Sequence, residues 1–92
     1  MGCKVKNSFV VLNDKGLHTR PATEIVRCVQ DYRARVFFYC RGVRADAQSI
    51  LELLLLCADQ GAEIEVEAEG VDAEKAVAAV ISLSKKSFNI HY

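Results

Sequence analysis

Neither charge predominates in this chain of 92 residues, because twelve Lys and Arg balance twelve Asp and Glu. That balance argues against a general nucleic-acid or membrane-surface role resting on net charge. No apolar run approaches the roughly 20 residues of a membrane-crossing helix; the longest, Ile50 to Ala58, is interrupted by Glu52. The start, Met1 to Lys6, lacks the apolar stretch and cleavage site of a signal peptide. A soluble, cytoplasmic protein without membrane insertion is therefore expected. Cys3, Cys28, Cys40 and Cys57 form no C-x-x-C pair, and with the histidines they make no zinc-ligand spacing. No metal or cofactor is expected. Cys28, Cys40 and Cys57, among apolar neighbours, read as small buried hydrophobes, and the cysteines as a set read as reduced, mostly buried thiols, with a surface thiol at Cys3 as the alternative. Linkers, repeats and low-complexity stretches are also missing.

What is present fits one domain spanning residues 1–92. The chain is 51% hydrophobic and 26% charged, within the ordinary globular range. A domain of this size buries only about 60 to 65% of its unfolded surface, so chemistry should sit at the surface. Alternation over Val5 to Leu12 predicts a first strand, closed by the turn signal Asn13-Asp14-Lys15-Gly16. Ala22, Ile25, Val26 and Val29 then recur at helical spacing, predicting a helix from about Thr19 to Gln30 with Pro21 just inside its start. Ala34 to Cys40 and Val43 to Asp46 read as a hairpin turning at Arg41-Gly42. Ser49-Ile-Leu-Glu52 fits a capping box before a short helix that ends ahead of Gly61. Glu63, Glu65, Glu67 and Glu69 alternate with Ile64, Val66 and Ala68, a strand with one buried and one wet face. Asp72 can cap a last helix with an apolar stripe of Ala73, Ala76, Val77, Val80, Ile81 and Ser84. Residues 87–92 read as a loose tail. The expected fold is an open-faced α+β sandwich, with the sheet order left open by a ferredoxin-like alternative.

Gly16-Leu17-His18-Thr19-Arg20-Pro21-Ala22 is the segment that carries chemistry. It places a histidine where a helix begins and an arginine two residues on. First-turn N–H groups lack intrahelical acceptors, and with the helix dipole they form a site for a phosphoryl group; Thr19 and Arg20 can supply these donors. Gly16 permits the positive φ that would turn His18 outward. The positive helix end disfavours a cation, which keeps an imidazole lone pair available for attack on phosphorus. The Arg20 guanidinium can stabilise charge on the transferring oxygens. A lone histidine can equally be a plain surface or N-cap residue.

This seven-residue segment resembles the active-site motif of the HPr family, the histidine phosphocarriers of the bacterial phosphotransferase system. The resemblance extends to Gln48-Ser49-Ile50-Leu51 after the hairpin, Gln60-Gly61 before the alternating strand, and Gly70 ahead of the last helix. It implies a βαββαβα fold with a four-stranded antiparallel sheet and three helices on one face. It also implies a monomeric carrier rather than an enzyme. His18 would accept a phosphoryl group on Nδ1 from Enzyme I and pass it to an EIIA-type protein, with Arg20 as the charge-stabilising neighbour. Thr23, Arg27, Ile50, Leu51 and Leu54 match partner-binding positions. Ser49 matches a position that a dedicated serine kinase and phosphorylase act on in some bacteria, although the capping box accounts for it equally well. Glu52, Leu54 and Cys57 depart from the sugar-transport pattern. The stretches around Ile64 to Ala68 and Ala78 to Ile81 are at least as similar to NPr, the paralogue in the nitrogen-related regulatory branch.

The alternative from another class is a noncatalytic α/β interaction module that uses only the Ile50, Leu51 and Leu54 patch. His91 has no metal-ligand partner at useful spacing and is assigned no role. The four alternating glutamates read as a solvated face rather than a calcium site.

Overall fold

The computed structural model describes residues 3–89, apart from the side chains of Cys3 and Asn89. The period-two segments form strands β1 (Cys3–Val10), β2 (Arg35–Cys40), β3 (Val43–Asp46) and β4 (Glu63–Gly70). The helical segments form α1 (Thr19–Val29), α2 (Ile50–Leu55) and α3 (Ala73–Lys85). All strand pairs are antiparallel, in the order β1-β4-β2-β3. This settles what the pattern left open: β1 and β2, joined through α1, flank β4.

Alternation decides which face of the sheet is covered. Val36, Phe38 and Cys40 of β2 and Ile64, Val66 and Ala68 of β4 are buried. They meet Ile25 and Val29 of α1, Leu53 of α2, and Ala73, Ala76, Val77 and Val80 of α3 in one core. The opposite face is wet, as expected, with Glu63, Glu65 and Glu69 exposed. Glu67 is less exposed because Lys4 (3.1 Å) and Lys6 (3.7 Å) of β1 reach across to it. Phe37 on the same face lies between the guanidinium groups of Arg35 and Arg44, at 5.3 and 5.0 Å from its ring centre. The β2–β3 turn has positive φ at both Arg41 and Gly42, the geometry that matches the twist of a two-residue hairpin.

Several expectations are corrected. The first strand begins and ends about two residues earlier than the alternation suggested. Asp72 does occupy the N-cap position of α3, but its side chain makes no cap bond there. Its carboxylate instead accepts from the backbone N–H groups of Arg33 (2.9 Å) and Ala34 (2.8 Å), tying α3 to the start of β2. The loose tail is overturned for residues 87–89. Ser87–Asn89 form a 3-10 turn, and the Phe88 ring is fully buried, edge-on to Phe9 at 5.6 Å. Burying a phenylalanine contributes about 1.5–3 kcal/mol, enough to hold a short terminal turn in place. The remainder of that tail, His91 included, lies outside the described residues. Among the cysteines Cys40 is buried and Cys28 half-buried, but Cys57 is exposed, since it sits at positive φ just beyond α2. Among the described residues no helix is long and apolar enough to cross a membrane.

Candidate functional site

The loop from Asn13 to His18 is held by its neighbours at both ends. Its turn closes where Gly16 N–H donates to Asn13 O (3.0 Å), and Leu17 N–H donates to Ala58 O (2.9 Å) beyond α2. Gly16 has φ +68°. A Cβ there would collide with the Ala58 carbonyl oxygen and lie 2.8 Å from Asp59 Cα, so glycine is required by close approach as well as by conformation. The Gln60 side chain donates to Leu12 O (3.2 Å) and Asp14 Oδ1 (3.1 Å), bracing the loop from the same direction. Leu17 is buried and anchors the loop in the core.

His18 follows as the N-cap residue of α1, in extended conformation (φ −83°, ψ −169°) and half-buried. Its carbonyl accepts from Ala22 N–H (3.1 Å), which starts the helical ladder. The N–H groups of Thr19 and Arg20 are the first-turn donors without an acceptor four residues back. Pro21 contributes none. No acidic residue stands in the first turn to compete for an anion, while Arg27 complements the dipole in the last. Arg20 is exposed in the same turn as the histidine. The helix is seated by Pro21, Ala22, Ile25 and Val29, all buried.

The remaining sequence candidates lie on α1 and on or just before α2. Thr23 is half-buried and its hydroxyl donates to Thr19 O (2.8 Å), so it is satisfied within the helix. Arg27 is largely exposed and pairs with Glu24 at 3.5 Å. The short helix α2 packs against α1 and splits its leucines sharply. Leu53 and Leu56 are core, Leu54 is half-buried, and Ile50, Leu51 and Leu55 face solvent at 36%, 68% and 62% exposure. Leu55 thereby joins the apolar patch rather than the core. Ser49 caps α2 by accepting from Glu52 N–H (3.2 Å). Only half of the capping box forms, because the Glu52 carboxylate accepts instead from Asp46 N–H (3.0 Å).

Asn13 was legible only as a turn residue. It is 1% exposed and its Nδ2 donates to Ser87 O (2.9 Å), while Oδ1 is buried without a partner among the described residues. Leaving such an acceptor unsatisfied costs about 1–3 kcal/mol. Its one signal in the sequence was a turn-former directly after a strand.

Residues 5–86 match the family model PTS-HPr, described as the PTS HPr component phosphorylation site. The chain belongs to the PTS-HPr family. Among HPr-family relatives, phosphocarrier protein NPr of Escherichia coli (strain K12) is 38% identical over 86 residues, covering 92% of this chain and 96% of that protein. The structure of HPr-C-His from Thermoanaerobacter tengcongensis superposes with a TM-score of 0.89 at 26% identity, covering 96% of this chain and 99% of the other. HPr of Bacillus anthracis str. Ames gives 0.81 at 30% identity over 87% and 95% of the two chains. The chain is thus a member of the HPr/NPr phosphocarrier family of the phosphotransferase system, with the open antiparallel sheet and three helices expected of it.

Proposed function

We propose that His18 is the residue that carries the phosphoryl group, receiving it from an Enzyme I-type donor and yielding it to an EIIA-type acceptor. The observation that carries this reading is the placement of His18 as the N-cap of an eleven-residue helix, within the segment matched by the family's phosphorylation-site model. In the accepting step the lone pair of Nδ1 forms the N–P bond as the bond from phosphorus to the donor breaks, and the donor keeps that electron pair. The N–H groups of Thr19 and Arg20 and the Arg20 guanidinium stabilise the charge spread over the transferring oxygens. In the onward step His18 becomes the leaving group. The protein is a carrier rather than an enzyme, acting as a single-domain monomer in the cytoplasm.

Docking falls to the surface formed by Thr23, Arg27, Ile50, Leu51 and Leu54, extended by Leu55. An exposed apolar patch beside a reactive group, with a cation at its rim, fits a partner that offers an apolar hollow and carboxylates. The nitrogen-related regulatory branch is favoured over sugar transport by the likeness to NPr and by Glu52, whose negative charge stands on that docking helix. Ser49 is the candidate for regulatory modification. A phosphoryl group there would add about −1.5 to −2 charge beside Glu52 at the start of the docking helix.

The test is incubation with Enzyme I of either branch and phosphoenolpyruvate. Acid-labile, alkali-stable phosphate should appear on the wild type and vanish in His18→Ala. A wild type left unlabelled by every donor would favour the noncatalytic interaction module instead.

A further inference from the structure

We infer that Asn13 is a positioning residue for phosphoryl transfer, holding the His18 loop in register through its bond to the C-terminal 3-10 turn. This rests on the assignment of His18 as the carrier residue. Five residues before the histidine, Asn13 holds the loop twice. Its carbonyl accepts from Gly16 N–H inside the loop, and its Nδ2 donates to Ser87 O at 2.9 Å. The first bond is local. The second spans 74 positions of sequence and is the described link from this loop to the end of the chain.

The anchor at the other end of that link is itself firmly set. Phe88 is fully buried and meets Phe9 edge-on, and Phe9 belongs to β1, which leads directly into the loop. Ser87 and Phe88 both hold left-handed backbone angles, φ +52° and +56°, which residues with a Cβ seldom adopt unless their surroundings impose them. The carbonyl presented to Asn13 is therefore fixed by packing rather than by local preference. Asn13 in turn is 1% exposed, and its Oδ1 is buried without a partner among the described residues. A purely space-filling side chain would avoid that desolvation cost, so the amide is best explained by what its Nδ2 holds.

In-line transfer depends on the attacking nitrogen being placed to within a fraction of an ångström, and a displacement of about 1 Å can cost on the order of a hundredfold in rate. Loss of the Asn13 tether should thus lower the saturated transfer rate and leave docking alone, because Arg27, Ile50 and Leu51 lie on other elements. Phosphorylation by the cognate donor is followed in rapid-quench experiments on wild type, Asn13→Ala, Phe88→Leu and Val36→Ala, below the melting onset of each. Phe88→Leu loosens the anchor without touching the loop. Val36→Ala is a core truncation on β2 that controls for destabilisation alone. The expected result is a kcat reduced about tenfold or more in Asn13→Ala and Phe88→Leu, KM within about twofold of wild type, and an unchanged kcat in Val36→Ala. If Asn13→Ala does not fold, Phe88→Leu decides by the same criterion. A kcat near the wild-type value in the deciding variant, or an equal loss in Val36→Ala, overturns the role of Asn13 while the carrier assignment stands. A wild type that takes no phosphate removes both together.

Discussion

In the proposed transfer His18 and Arg20 divide the chemistry between a nucleophile that must be placed and a cation that need only be near. His18 is set by its neighbours on both sides, Leu17 in the core and Pro21 in the first helical turn. Arg20 is exposed, so its removal should leave the fold intact. Arg20→Ala is expected to slow phosphoryl transfer by about a hundredfold, the scale on which a preorganised charge-stabilising donor acts. Its urea midpoint should match wild type. Equal transfer rates for variant and wild type would take Arg20 out of the mechanism. Their placement at a helix start was legible in the sequence, because a histidine, an arginine and a proline ahead of a helical repeat need only local spacing to be read, whereas the roles proposed for them drew on local physics and on resemblance to a family motif. Gly16 was half legible. Its positive φ follows from the turn signal, whereas its contact with Ala58 joins segments some forty positions apart. Asn13 and Phe88 were not legible, since neither belongs to a periodic pattern and the burial of each depends on the rest of the fold.

Among the elements, alternation, helical spacing and the Ser49 capping box revealed β1 to β4 and α1 to α3 but not the turn at Ser87–Asn89, and β4 most clearly, because its glutamates mark one face without ambiguity. The caps were read less well. Ser49 and Asp72 are both residues that favour N-cap positions, but competing backbone donors decide what an acidic side chain finally binds. Asp72 turns to Arg33 and Ala34, and Glu52 turns to Asp46. Asp72 is held below the ordinary carboxylate value of 3.8 mainly by the Arg33 N–H; partial burial opposes this and the Ala34 N–H adds to it. The sign follows from the depressed folded value. Its contribution to stability is complete above pH 3.8 and is lost as the pH falls through the lower folded-state value. Asp72→Asn should therefore be less stable than wild type near pH 6, with the gap closing as the medium is acidified below 3.8. Urea titrations at a series of pH values measure this, and a gap independent of pH would contradict it.

Across the whole molecule the two sides of the sheet have different tasks. One side is buried beneath the helices, and the helices bring His18 and the α2 leucines to the same end. The other side carries Lys4, Lys6, Arg35 and Arg44 interleaved with the β4 glutamates. Near-cancellation there leaves little net field to steer a partner, which supports the proposal that recognition falls to the end with the exposed apolar residues. Leu51 is 68% exposed and contributes little to the core. Leu51→Asp should raise the KM for the phosphoryl donor by about tenfold with kcat and unfolding midpoint unchanged. Steady-state transfer assays check this, and an unaltered KM would place the docking surface elsewhere.

The struts of the His18 loop come from late in the chain: Ala58, Asp59 and Gln60 beyond α2, and Ser87 near the far end. During synthesis the histidine leaves the ribosome well before the residues that shape its surroundings. A nascent chain that has not yet reached Ser87 therefore lacks the supports that set the His18 loop.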